Sequence, residues 1–352
     1  MKGLNSNIQP DSKTKYFKVK NRKILILLIS GVFTIASLTA QDNEKRNLIK
    51  FDGTLKTKYE WAFETSHGRF SVRNSRLGLF GEISPYLCYK TQIELSSNGK
   101  FEVLDLYATI KPVKGLQFTF GQSSIPLFNS FQTSPSSMLF ANRSFVVKYN
   151  TGSRDIGLLA TYNADAGAVP LSIELGVFNG STINNPVWTG RASFAGRISA
   201  GGMQGLRATA KIHTYPYSLT QDYIFIGADL RYCKERMKFH AEVMNRHNKA
   251  DRANRLTSHI EGALSMPLAK GRIFREIIPA LRWDTITESP IDQGPDIHRI
   301  TAGLGFGFTP GPFSSLLRID YENYFVKNPL SEFLQTEEND SDKITVELMI
   351  VF

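Results

Sequence analysis

The final stretch, Lys343 to Phe352, alternates two kinds of side chain, with Ile344, Val346, Leu348, Ile350 and Phe352 on one face. A repeat of two marks a strand with distinct sides. The same alternation recurs along most of the chain. It predicts strands near residues 49–63, 70–84, 86–97, 101–111, 115–122, 154–163, 171–179 and 190–200. Eight more are expected near 206–215, 222–232, 236–246, 257–266, 275–285, 298–308, 315–326 and 342–352, for a total of about sixteen. In the first, Phe51, Leu55, Tyr59, Trp61 and Phe63 oppose Lys50, Asp52, Lys56, Lys58 and Glu60. In the ninth, Leu206, Ala208, Ala210 and Ile212 oppose Arg207, Thr209, Lys211 and His213. The phase slips between Val72 and Leu77, which predicts a bulge near Asn74.

A face this apolar on so many strands needs a partner. One strand of this length crosses a thin bilayer, but lipid accepts only backbone that is paired internally, as in a closed sheet. The expected fold class is therefore all-β, a transmembrane antiparallel β-barrel of about sixteen strands over residues 41–352. Connection lengths test this. With both termini periplasmic, one set of connections is short: Ser84-Pro85, Pro112 to Lys114, Ala200 to Gly205, Cys233 to Glu235 and Thr309 to Phe313. The other set is long: Ser123 to Ser153, Asn245 to Leu256, Ile286 to Ile297 and Lys327 to Ser341. Short turns on one side and long loops on the other are the outer-membrane asymmetry.

The start of the chain sets the compartment. Lys18, Lys20, Arg22 and Lys23 precede an apolar run from Ile24 to Ile35 and a small-residue segment ending at Ala40. That layout predicts a signal peptide over residues 1–40, with Leu38 at the minus-three position, since the apolar run is shorter than a spanning helix needs. Seven basic residues against Asp11 alone give this segment +6 of the formal +10, leaving +4 on the remainder. The basic balance is thus no sign of nucleic-acid binding. Two cysteines, Cys88 and Cys233, form no disulfide framework and read as free thiols.

Asp105 to Gln122 (DLYATIKPVKGLQFTFGQ), followed by Ile125-Pro126-Leu127, resembles the phosphate-selective porin O and P family. So do Ser75 to Gly81 (SRLGLFG), Arg143-Ser144, Arg154 to Gly157 (RDIG) and Val177 to Gly180 (VFNG). The resemblance implies a sixteen-stranded outer-membrane channel, usually a homotrimer, whose third external loop folds inward and narrows the pore.

In a wide barrel the residues lining the narrowest part decide what passes. The third external loop, roughly Ser123 to Ser153, carries Arg143 and Lys148, with Arg154 at its exit and no acid before Asp155. These three are the candidate constriction and anion-binding residues, Arg by bidentate hydrogen bonds and Lys as a point charge. Alternatively, they snorkel or tie the loop to acidic wall residues. Candidate pore-wall cations are Lys56, Lys58, Arg76, Lys90, Arg207 and Lys211, continued by Arg231, Lys238, Arg282, Arg299 and Arg318. Inward acids are nearly as numerous, among them Glu60, Glu82, Glu94, Asp105, Glu174, Asp229, Glu242 and Glu261, then Asp284, Asp320 and Glu322. Pairing across the wall would neutralise much of its field.

Other motifs carry less. Gly303 to Gly307 (GLGFG) alternates within a strand and no helix follows, so it is no phosphate-cradling loop. His240 and His247 have no Cys or carboxylate set at ligand spacing, and no metal or cofactor is expected. No catalytic residue is nominated. The expected protein is a Gram-negative outer-membrane channel, not an enzyme, through which small hydrophilic solutes diffuse passively, with a possible bias to anions such as phosphate. Its partners are then membrane lipid, those solutes and two further copies of itself. Two alternatives remain open at this level: a secreted soluble β-sandwich for binding or adhesion, and a barrel hydrolase with a lipid-facing Ser and His.

Overall fold

In the computed structural model the described residues are 49–97, 100–167, 169–269, 272–289, 293–308, 313–330 and 342–352. The expected export segment 1–40 lies outside them, as do parts of the expected turn 309–313 and loop 327–341. The chain opens with β1 (Lys50–Ala62), β2 (His67–Val72), β3 (Arg76–Ser84), β4 (Leu87–Ser97), β5 (Lys100–Val113) and β6 (Leu116–Ser124). Two helical turns follow, α1 (Ser130–Thr133) and α2 (Phe145–Lys148). Next come β7 (Arg154–Ala166), β8 (Val169–Phe178), β9 (Ser193–Ala200), β10 (Gly205–Pro216), β11 (Asp222–Lys234) and β12 (Met237–Asn248). The set ends with β13 (Asn254–Leu264), β14 (Met266–Pro267), β15 (Glu276–Thr287), β16 (Ile297–Gly307), β17 (Leu316–Val326) and β18 (Lys343–Val351).

These eighteen segments make a closed antiparallel barrel of sixteen strands, because β2 with β3, and β13 with β14, are interrupted halves of single strands. The first interruption is the expected bulge. Thr57 faces Val72 and Thr54 faces Arg76, so Arg73, Asn74 and Ser75 stand against Leu55 and Lys56 alone. Asn74 absorbs the extra residue with φ +58°, in the left-handed region Asn tolerates. β1 closes the ring on β18, from Thr54 opposite Val351 to Ala62 opposite Lys343. Gly53 and Phe352 extend the seam, exchanging backbone bonds of 2.7 and 3.0 Å. Each of the sixteen strands has a neighbour on both sides along at least part of its length, with β2 bonded to β1 alone, so the ring contains no edge strand. Closure also removes the β-sandwich alternative, which needs two stacked sheets.

The two faces separate as the alternation requires. Along β18, Lys343, Thr345, Glu347 and Met349 are buried while Leu348, Ile350 and Phe352 are exposed. Leu55, Leu206, Ile212, Ile226, Ile260, Leu281, Ile300 and Ile319 are exposed around the barrel. In water each such side chain would forgo about 1.5–3 kcal/mol of burial, and a belt of them exceeds any ordinary soluble patch. A one-residue slip of any strand would turn its charges into that belt, which is why the register is strict. No helix among the described residues is long and apolar enough to cross a membrane. Cys88 and Cys233 are free.

Candidate functional site

The connection from β6 to β7 is too apolar for a solvated loop. Ile125, Leu127, Phe128, Phe140, Phe145 and Val146 are all buried. Ile125, Leu127, Phe128, Val146 and Val147 pack against Phe178, Ala195, Tyr215, Phe225 and Met244 of β8 to β12. Leu139 and Phe140 pack on Ala263, Ile278, Leu316 and Met349. Phe145 and Tyr149 pack on Ile286, Ile297 and Leu330. Apart from Leu330, which lies beyond β17, these wall residues share the strand face that carries the charges.

A segment with so little regular structure must still pair its backbone groups when buried. Here the charged wall supplies the partners. Arg318, Arg282 and Arg299 donate to the carbonyls of Met138, Asn142 and Arg143 at 3.0, 2.9 and 2.9 Å. Asp320 accepts the Ala141 N–H at 2.7 Å and Asp284 accepts that of Phe145 at 3.0 Å. The Asn142 amide donates to Glu322 at 2.8 Å and accepts from Lys58 at 2.7 Å. The Arg282 and Arg299 guanidinium carbons lie 4.6 Å from the ring centres of Phe140 and Phe145, a cation–π distance. Gly303 makes room for this approach: a Cβ there would lie 3.1 Å from Phe140 and 2.6 Å from Asp320 Oδ1.

Elsewhere the loop leaves an opening of about 250 Å³, lined by Arg73, Arg76, Arg143 and Arg154 together with Glu94 and Glu102. Arg76 pairs with Glu94 at 3.1 Å, and Arg154 and Lys90 share Asp105 at 2.6 and 2.9 Å. Arg143 differs. Its guanidinium donates to the carbonyls of Gln132 and Thr133 at 2.8 and 3.4 Å, and among the described residues no carboxylate pairs with it. Burial first, then the charges of Arg76 and Arg154, push the Arg143 guanidinium below its ordinary value. An arginine keeps its proton regardless.

The remaining sequence candidates divide. Lys56 pairs with Glu347 at 2.9 Å and Lys58 with Glu60 at 2.8 Å. Lys211 bridges Asp229, at 2.9 Å, and Glu242. Arg207 is half-buried, 3.7 Å from the Met203 sulfur. Lys148 is exposed, with Nζ 5.4 Å from the centre of the Tyr149 ring, and does not line the opening. Sequence reasoning missed Arg73 and Glu102, although the expected bulge at Asn74 was the signal for Arg73. It also missed a convergence of His240, His259 and Glu261, whose ligating atoms lie within 4.8 Å of one another. His247 takes no part and instead contacts Asn254 at 3.1 Å.

A model of the family described as phosphate-selective porin O and P matches residues 52–256. The chain belongs to that family. This porin's barrel is similar to that of OmpF of Salmonella typhi in complex with daunomycin, with a TM-score of 0.60 and 14% identity over 86% of this chain and 97% of that one. OmpT of Vibrio cholerae in its trimer form gives a TM-score of 0.56 and 11% identity over 86% and 99%. The outer-membrane channel DcaP of Acinetobacter baumannii gives a TM-score of 0.56 and 11% identity over 86% and 97%. At such identities the likeness is one of fold. No curated protein matches the sequence significantly. The porin is an outer-membrane protein, a channel for the passive diffusion of small hydrophilic solutes.

Proposed function

We propose that this porin favours anions, phosphate among them, and that the β6–β7 segment lies across the lumen as its constriction. The observation that carries the reading is Arg143, held by backbone carbonyls at the opening beside Arg73, Arg76 and Arg154. A passing anion offers it the negative partner that neighbouring carboxylates give Arg76 and Arg154. The paired wall contributes little to this bias, because its cations and acids neutralise one another. Export by a cleaved segment 1–40 and assembly as a homotrimer belong to the same reading, the latter supported by the trimer form of OmpT.

Reversal potentials in a planar bilayer under a salt gradient test the selectivity. Anion preference that falls in an Arg143→Glu channel is the expected result, and cation preference of the unaltered channel overturns it. Native mass in mild detergent reports the assembly, with three copies expected.

A further inference from the structure

We propose that His240, His259, Glu261 and Gln132 form a site for a divalent transition-metal cation of the zinc type, which staples the β6–β7 segment to the barrel wall. The inference is independent of which solute the channel prefers.

The site follows from strand register. His240 on β12 stands opposite Glu261 on β13, and Glu242 opposite His259. Both histidines and the acid therefore share one face, two as a direct pair and the third on the diagonal. His240 Nδ1 lies 2.8 Å from His259 Nε2 and 3.8 Å from Glu261 Oε1. Ligands about 2.0–2.1 Å from a tetrahedral zinc stand ~3.3 Å apart, between those two separations. The three residues are 0, 1 and 2% exposed, so bulk water does not fill their needs. All three atoms are acceptors unless one imidazole turns its single N–H toward the other. A cation satisfies all of them at once.

The fourth group comes from the loop. Gln132, 2% exposed, places its amide nitrogen 2.7 Å from Glu261 Oε1 and 3.2 Å from His240 Nδ1, while its oxygen accepts from Ser144 Oγ at 2.7 Å. The two ends of an amide are exchangeable by a half-turn. Turned, the Gln132 oxygen faces the histidines and its nitrogen donates to the Ser144 hydroxyl. Two imidazole nitrogens and two oxygens suit zinc or its neighbours and are a poor set for magnesium or calcium, which prefer oxygen alone.

The surroundings are polar and densely charged. His240 Nε2 contacts the Asn129 amide at 2.7 Å, with Glu242 and Asp229 at 3.8 and 4.0 Å. The two carboxylates are the acceptors that the Nε2–H of a metal-bound histidine needs, whereas the Asn129 atom is the amide nitrogen, a donor whose companion oxygen already accepts from the Phe131 N–H, so Asn129 must shift when the ion binds. Lys211 and Arg282, the latter 3.9 Å from Glu261, oppose the cation. Arg299 and Lys238 add to them, so Glu261, Glu242, Asp229 and Asp284 balance the four cations rather than outweigh them. Asn129 and Gln132 belong to the loop and the histidines to the wall, so the ion would cross-link the two.

The test uses the full-length channel folded in detergent, stripped with a chelator and titrated with Co2+ alone. Visible d–d bands of a four-coordinate ion, saturating at one per chain and abolished by Zn2+, are expected. His259→Ala and Glu261→Gln should each remove them, Gln132→Ala should weaken Co2+ affinity by about tenfold, and His247→Ala should leave it unchanged. Heat-modifiable gel mobility checks that each variant is folded. If His259→Ala does not fold, Glu261→Gln, which keeps the side-chain shape, decides. Folded protein without the bands, or bands retained in Glu261→Gln, overturns the site.

Discussion

The wall formed by β15 to β18 and the wall formed by β3 to β7 carry the same residue types and put them to different use. On the first, Arg282, Arg299 and Arg318 are buried to within 2% and are held by acids and loop carbonyls. Arg299 pairs with Asp284 at 2.8 Å and with Glu322 at 3.1 Å. On the second, Arg76 and Arg154 keep acidic partners, but both line an opening that Arg143 enters from the loop. The difference teaches that a count of wall charges says little about the field a solute meets. What covers the charges decides: a buried pair acts as glue for the loop, whereas a cation at an opening with no acid paired to it is the one placed to meet a solute under the proposed function.

The largest expected effect breaks the glued side. Asp284→Ala removes the nearest acid from Arg299 and Arg282 and the acceptor of the Phe145 N–H. It should cost about 3–5 kcal/mol in denaturant unfolding of the detergent-folded barrel, and single-channel conductance should rise as the loop loosens. A loss no greater than that of Glu102→Ala would erase the contrast between the walls. Next comes Gly303→Val, whose added atoms meet Asp320 and Phe140. Overpacking of about 1–3 kcal/mol is expected, again with raised conductance, and neither change would mean Phe140 is loosely seated.

Selectivity sharpens the other side. Arg143→Glu should move the reversal potential toward cations, and ~1.4 kcal/mol of ion energy at the opening corresponds to tenfold in the permeability ratio. Lys148→Glu, outside the opening, should leave it unmoved. Equal shifts from both would assign the bias to the loop's net charge rather than to the opening.

The smallest effect lies beside the barrel proper, where Asp296 ties two connections together. Burial alone would raise its pKa, but hydrogen bonds from Ser289, Asn328 and the Ser289 and Glu288 backbone hold it at about 2. A depressed carboxyl stabilises fully above its ordinary value of 3.8 and loses this as pH falls toward 2. Protease nicking at this loop should therefore rise across that interval in the native channel, by an amount of order 1 kcal/mol. Asp296→Asn should flatten the profile, and an unchanged profile would release Asp296 from that role.

The residues legible in advance were those whose signal is local. β1, β10 and β18 were readable because successive side chains must point to opposite faces, and Asn74 because a lost beat in that rhythm needs an extra residue. Arg143 and Arg154 were picked out as cations of the one long loop lacking acids, and the structure brings both to the opening. Lys148 met the same criterion and is turned away, since its direction depends on α2 and on what Phe145 to Val147 bury. Nothing near Met138 or Asn142 announces that arginines from β15 and β17 will hold their carbonyls. His240 and Glu261 are equally silent in one dimension, because only the pairing of β12 with β13 makes them neighbours.

The amino-acid order by itself determined that this chain forms strands with one oily and one charged side, roughly where each begins, and that one connection is exceptional. Both follow from forces acting between near neighbours and from the sidedness of an extended backbone. Only the closed barrel decided which charges are sealed against the β6–β7 segment, which face an opening, and which histidines meet. Those outcomes depend on strands brought into register across the ring, and on carbonyls and carboxylates that find each other only once the solvent between them has been excluded.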